Sequence, residues 1–397
     1  MVEPGFSVNG IASVFFCNGL DLGLAFVLAW IMAELLKNFS TWFWNPDVWT
    51  PPGYDWNDFV PNDKIEYADW NDLWSYPFYM AAIATALRFL ILNPLLYGPI
   101  ARRCGFKDIK VRPVVPNKLL EKTFWKHKGR VPSDVICESA KVLEWTERKV
   151  ERWLRQRRSM KRISKHTKFI ECSWQLTYYT FIFFYGVYVL WDKSWVWDIM
   201  NCWYNFPKHS LDLDVWWYYQ LSLAFYWSMT FTHFFEIRRS DFWQMLLHHL
   251  ITILLIVFSW TCNLTRVGTL VLIVHDVADI PLQFTKLCMY SAPKHITDAV
   301  FGGFALIWII SRIGVFPLWI IRSCLIDAPG VIPMYPVYYI FNGLLIALEC
   351  LHVFWTYLII KIVAESMRKE DGKLDDVRES SADPSELPDE DEDEKKE

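Results

Sequence analysis

DFWQMLLHHLITILLIVFSW (residues 241–260) and TCNLTRVGTLVLIVHDVADI (261–280) decide how this chain folds. Each contains a long apolar run, and with its flanks each reaches the roughly 20 residues that cross a bilayer as a helix. A turn near Asn263 separates them, so the two spans are antiparallel neighbours. Yet they carry His248, His249, His275, Asp276 and Asp279. Even the lowest insertion scales charge about 2.5 kcal/mol for an aspartate at mid-membrane, so a polar cluster here marks a functional site.

Composition places the whole chain in the same class. Of 397 residues 53% are hydrophobic and 17% aromatic, with 23 Trp, well above soluble usage. The pattern predicts an all-α polytopic membrane protein. The formal charge of -4 hides an acidic tail: residues 370–397 hold 14 acidic and 4 basic residues, and without them the chain is +6. That tail, rich in Asp, Glu, Ser and Pro, reads as solvated and disordered. The nine cysteines show no closely spaced pair of zinc or redox type, so neither a metal site nor a disulfide framework is expected. One bridge, Cys202 to Cys324, stays open because both fall in loops on one side.

Seven spans follow from hydropathy: 74–100, 169–191, 215–237, 242–261, 267–285, 299–321 and 336–363. Connections carrying Arg102, Arg103 and Lys107, then Arg238 and Arg239, then Lys286 and Lys294, and finally Arg368 and Lys369 alternate with connections poor in basic residues. By the positive-inside rule the basic connections and the C-terminus are cytosolic. The loops after Trp191, near Asn263 and over Ser323 to Tyr335 then face the opposite side. A further apolar segment, 11–36, contains Asp21 and Glu34, has no basic residues before it, and is a poor signal peptide of open topology. The Trp-rich stretch after it suits a membrane interface. Sequons at Asn38 and Asn263 lie close to apolar sequence; occupancy is not expected at Asn38, and Asn263 reads as structural.

The organisation is therefore an N-terminal apolar and Trp-rich part (1–73), a first span (74–100), a cytosolic region (107–168), a main body of spans (169–363) and the tail (364–397). Within the cytosolic region, SDVICESAKVLEWTERKVERWLRQRRSMKR predicts two helices, one capped by Ser133 and one starting at Thr146. Trp153, Leu154, Arg157 and Arg158 are similar to the end of a homeodomain recognition helix. Gln156 stands where that family places its adenine-reading Asn, and no complete first helix is evident upstream, so DNA is not an expected partner. A packed helical module with Arg148, Arg152, Arg155, Lys161 and Arg162 facing anionic headgroups is the simpler reading.

Residues three or four apart share a helix face, so Asp276 and Asp279 line up, as do His275 and Asp279, while His248 lines up with Met245 and Thr252. Histidine titrates near neutrality and serves as nucleophile or general base; a nearby carboxylate fixes its tautomer. Each residue also has a bland role. His233, His275 and His352 suit helix–helix hydrogen bonds, Glu349 and His352 suit one another, and Arg266 suits an interface anchor.

Several stretches together resemble the ceramide synthases, the sphingoid-base N-acyltransferase branch of the TRAM-Lag1-CLN8 family. They are DVWTPPGYDW, QLSLAFYWS (220–228), RRSDFWQMLLHHLITILLIVFSW and NLTRVGTLVLIVHDVADIPLQFTKLCMY, and the likeness runs from about Val48 onward. The block over 241–290 is similar to that family's Lag1 motif, with Pro281, Gln283 and Leu287 as departures. The resemblance implies a bundle of six transmembrane helices plus one preceding span, in the endoplasmic reticulum membrane with the acidic tail in the cytosol. It implies transfer of a fatty acyl group from acyl-CoA to a sphingoid base, with no cofactor, and a homo- or hetero-dimer.

In that chemistry His248 attacks the thioester to give an acyl-imidazole, with His249 as the other candidate, and Asp276 and Asp279 accept the amine proton and orient the histidine; His275 is a secondary candidate. General-base catalysis without a covalent intermediate is the rival. Arg238, Arg239 and Lys294 are candidate CoA contacts at cytosolic span ends. The resemblance also assigns acyl-chain selectivity to the loop from Ser323 through Asp327 to Tyr335. Ser380, with Asp383 three residues on, is a phosphorylation candidate. The histidines are too few for a di-iron hydroxylase, no inverted repeat supports a transporter, and a non-enzymatic lipid-sensing or translocation-associated relative is expected to lack the His pair and HDxxD.

Overall fold

The computed structural model describes residues 22–61, 65–106, 114–127, 131–159, 164–235 and 241–368. Among these no sheet forms, and the chain is a bundle of helices. We label them α1 (Leu22–Phe43), α2 (Trp70–Arg103), α3 (Lys118–Lys126), α4 (Ser133–Leu143), α5 (Glu147–Ser159), α6 (Lys165–Leu190), α7 (Leu213–His233), α8 (Phe242–Thr261), α9 (Thr265–Ser291), α10 (Lys294–Gly330) and α11 (Pro336–Arg368).

Each of the seven predicted spans falls on one of these helices, that of 215–237 ending at His233 with residues 236–237 outside the described ones. Five of them, α2 and α8 to α11, are long and apolar enough by themselves to cross a membrane. The others, α6 and α7, have 26 and 21 residues and are rich in Tyr and Trp, whose polar edges lower their hydropathy. Helix ends move outward where caps extend them. Asp69 accepts from the Asn71 amide at 3.0 Å, so α2 begins at Trp70, four residues before the expected start. The predicted loop 323–335 is the largest correction: α10 continues through Ser323–Asp327 and Ala328–Gly330, because Cys324 and Ala328 are fully buried and prolong its apolar face.

α9 occupies the centre, packed along α6 and α10 and touching α7 and α8; α11 closes α8 against α10. Close approach between α6 and its neighbours depends on Gly186, where a Cβ would come within 2.9 Å of Ile273 and of the Tyr218 ring. Two spans contain wide i→i+5 turns, Leu87–Tyr97 with Pro94 and Ile309–Ile321 with Pro317, since proline lacks the amide that a regular helix needs.

The end of the bundle holding the 262–264 turn is tied together by indoles. Trp203 donates to Ser323 at 2.9 Å, Trp195 to Thr269 at 3.1 Å, Trp260 to the Asp69 carbonyl at 2.8 Å and Trp216 to Asp72 at 2.7 Å. Each ring buries apolar surface while its N–H keeps a partner. Asn263 adopts φ 55° and donates its Nδ2 to the carbonyls of Pro207 and His209, at 2.7 and 2.9 Å, so its amide is structural as expected. Arg266 donates to the Asn201 carbonyl at 2.6 Å and lies over Trp195, tying the loop after α6 to the start of α9. Cys202 and Cys324, left open as a bridge, are both free thiols.

Between α2 and α6 the described residues form a separate small core of Leu120, Phe124, Ala140, Val150, Trp153 and Leu154. It has a third helix that the sequence did not announce, α3, capped by Asn117 accepting from Leu119 and Leu120. Ser133 is the first helical residue of α4 rather than its cap, which is Pro132. Thr146 does cap α5, accepting from Lys149 at 3.3 Å. Arg157 is committed to Glu121 at 2.6 Å, while Arg148, Arg152 and Arg155 are exposed; Lys161 and Arg162 lie outside the described residues.

Candidate active site

Adjacent helical residues point about 100° apart, and the histidine pair accordingly faces two neighbourhoods. His249 turns to α7, its ring 5.8 Å from His233. His233 stacks on Phe242 at 4.3 Å and its Nε2 lies 3.1 Å from the Phe242 carbonyl, which is the bland helix-joining role foreseen for it. His248 turns to α11, 5.5 Å from Trp355, and lies within electrostatic reach of Arg312 and His275. Tyr226 lies within 6.5 Å of both rings. Among the described residues neither Nδ1 of the pair has a hydrogen-bond partner.

On α9 the three acceptors spread over one side. His275 sets its Nδ1 2.6 Å from the Val271 carbonyl of its own helix; a carbonyl only accepts, so the proton sits on Nδ1, and Nε2, which has no hydrogen-bond partner among the described residues, carries the free lone pair. Asp276 accepts from the Tyr218 hydroxyl at 3.1 Å. Asp279 accepts from Arg312 at 3.3 Å. Arg312, 3% exposed, also donates to the His275 carbonyl at 2.8 Å and faces His352 at 3.3 Å, and His352 in turn lies 3.1 Å from Glu349.

The two sets meet in depth. At about 1.5 Å per residue, His248 lies ~20 Å from the turn end of α8, and Asp276 and Asp279 lie ~17 and ~21 Å from the turn end of α9. α9 runs on to Ser291, six residues past the expected limit, so the aspartates sit near its midpoint. A small, mostly apolar cavity lies beside His275, lined also by Tyr226, Thr252 and Leu348 at mid-bundle and by Tyr219, Ser259, Gly268 and Phe341 toward the turn end. The arrangement sets imidazole nitrogens and carboxylates at one level of the bundle, with His275 on the wall of a small apolar cavity.

The remaining predicted residues lie elsewhere. Lys294 is the exposed first residue of α10. Arg238, Arg239 and Ser380 fall outside the described residues. Ser323 and Tyr335 are buried, at the turn end of the bundle, with Asp327 half-buried on the prolonged α10. Tyr218, Tyr226 and Arg312 were not anticipated. Arg312 had a signal, since a lone cation inside the apolar run 299–321 falls under the same rule that singled out the histidines. The tyrosines had none, being two among the many rings of α7.

Comparison with known proteins gives the family. The TLC domain pattern matches residues 168–361, which includes the whole His and Asp cluster. Ceramide synthase 5 of Mus musculus is 35% identical over 350 residues, 88% of this chain and 84% of that one. The chain belongs to the ceramide synthase family. Ceramide synthase 3 of Homo sapiens is 39% identical over 334 residues, 82% of this chain and 84% of that one. Ceramide synthase hyl-1 of Caenorhabditis elegans is 39% identical over 233 residues, 55% of this chain and 62% of that one. Ceramide synthase likeness therefore extends well beyond the matched TLC domain, since an alignment of 350 residues cannot fit within 168–361.

Proposed function

We propose that this family member transfers a fatty acyl group from acyl-CoA to the amine of a sphingoid base, forming a ceramide, in the endoplasmic reticulum membrane with its C-terminal tail in the cytosol. The observation that carries the reading is the placement of His248, His275, Asp276 and Asp279 at one depth of an apolar bundle, with His275 lining a small apolar cavity. Amide formation from a thioester needs a nucleophile or base and a proton acceptor, and histidines and carboxylates stand at one level here.

His248 is the nucleophile in this reading, because it turns toward Trp355 and within electrostatic reach of His275 on the central helix, while His249 stands against His233. Its imidazole nitrogen bonds to the thioester carbon, the C–S bond breaks, and the imidazole proton leaves on CoA as the thiol. The sphingoid ammonium gives one proton to an aspartate, and the free amine attacks the acyl-imidazole. The C–N(His) bond breaks, and the second amine proton returns to the imidazole. Lys294 at the head of α10, with Arg238 and Arg239, would meet the CoA phosphates, and the Ser323 to Tyr335 segment would shape the far end of the acyl cavity.

Membranes carrying the chain, given labelled sphinganine and a panel of acyl-CoAs, test the activity. Amide product that requires both CoA thioester and base is expected; its absence sinks the enzymatic reading. Incubation with acyl-CoA alone, followed by peptide mass spectrometry, is expected to find the acyl group on His248. An active protein that never holds it reacts by general-base catalysis instead.

A further inference from the structure

Arg312 puts a cation at the middle of α10, where desolvation makes a charge costly. Its guanidinium is buried, lies over the Trp308 ring at 5.0 Å, and spends its Nη donors on three groups from two other helices. It sits in the i→i+5 stretch Ile309–Ile321, and such widened turns are uncommon and concentrate at functional sites. A helix-joining role alone needs no charge: a neutral amide can bridge a carbonyl and a ring nitrogen without the desolvation cost of a cation. What does need a cation is Asp279, a carboxylate at the same depth, 3.3 Å away. His352 and Glu349 extend the line on α11, His352 meeting one Nη of the guanidinium and Glu349 holding His352.

We propose that Arg312 is the positioning residue of the amine-transfer step, holding Asp279 toward the incoming sphingoid ammonium and fixing the α9 backbone at His275, with His352 and Glu349 setting its own orientation. This rests on the acyl-transfer reading given above. The proton that leaves the ammonium goes to Asp279, the C–N bond to the amine forms as the C–N bond to histidine breaks, and Arg312 itself exchanges no proton. Thioester cleavage, which needs only the histidine, does not depend on it.

The test separates the two halves of the reaction in Arg312→Gln, Arg312→Lys and His352→Gln. Loss of a hydrogen bond to a charged group corresponds to about tenfold to hundredfold in rate. Arg312→Gln is expected to slow amide formation by that much, with CoA release in the absence of base staying within about threefold of the unaltered protein. Arg312→Lys keeps the charge without the fork and is expected to recover part of the rate; His352→Gln should fall between it and the unaltered protein. Equal loss of CoA release and amide formation, or full amide formation in Arg312→Gln, overturns the proposal. If Arg312→Gln does not accumulate, Arg312→Lys decides on the same two readouts. Should the unaltered protein release no CoA without base, the covalent reading fails by itself. Arg312 is then judged by kcat against the KM for acyl-CoA: a fall in kcat at unchanged KM supports it, an unchanged kcat overturns it.

Discussion

The hydroxyl of Tyr218 donates to Asp276 across 3.1 Å, joining α7 to the central helix at the level of the histidines. Tyr218 is itself fully buried, and Gly186 of α6 lies directly against its ring. A phenol so enclosed has one orientation, and through it Asp276 has one. Replacement of Tyr218 by Phe keeps the ring and removes the donor. Amide formation is expected to fall about tenfold, with folding stability lower by roughly 1 kcal/mol. Assay of membranes alongside detergent melting checks this, and an unchanged rate would show that Asp276 is held by other means.

Two glycines are tight points of packing. At Gly268 a Cβ would run into the Tyr219 hydroxyl, which is held at 3.0 Å from the Thr265 carbonyl and 3.2 Å from Ser259 and so has nowhere to move. Gly268→Ala and Gly186→Ala should each cost about 1–3 kcal/mol, the range for overpacking. Gly186→Ala should also lower activity, because the displaced group is the Tyr218 ring. Fluorescence-detected size exclusion after heating measures the first effect and turnover of the surviving fold the second.

His209 lies in the loop after α6, with Nε2 2.8 Å from the Tyr204 carbonyl. Burial foremost holds its pKa down at about 4; the Tyr204 hydrogen bond opposes this, and the Arg266 charge adds to it. The unfolded chain takes up a proton near the ordinary value of 6.5 and the folded one does not until about 4, so stability is lost as pH falls through that window and is unaffected above it. Melting temperature should drop between about pH 6.5 and 4.5. In His209→Gln the drop should be shallower, and parallel curves would remove His209 from the account.

Cys104 is exposed just past the basic end of α2, whereas Cys202, Cys262 and Cys324 are buried at the opposite end. In sealed vesicles with the cytosolic face outward, a variant keeping Cys104 alone should react with a membrane-impermeant maleimide without detergent. Reaction only after detergent would invert the topology inferred from the basic loops.

Much of the bundle was legible because a bilayer admits few solutions. Backbone groups in hydrocarbon must bond internally, so a run such as LITILLIVFSW can only be helical, and the basic loops order the runs. The limits of those helices were less legible. Hydropathy ends a span at its last apolar residue, while caps such as Asp69 and the buried turns at Cys324 and Ala328 carry the helix further. α3 escaped notice because so short a segment, half of it charged or polar, resembles loop until Asn117 caps it and Trp153 covers it.

By itself the sequence determined the fold class, the antiparallel α8–α9 pair and the membership of His248, His249, Asp276 and Asp279 in one polar level, since periodicity and length alone place residues along a helix. Which way each of them points was decided only in the tertiary structure. Rotation of α8 about its axis depends on packing against α7 and α11, and that packing sends His249 to His233 and His248 to Trp355. Arg312 meets Asp279 across 33 residues of chain, a contact that no local pattern encodes because it exists only once α9 and α10 lie side by side.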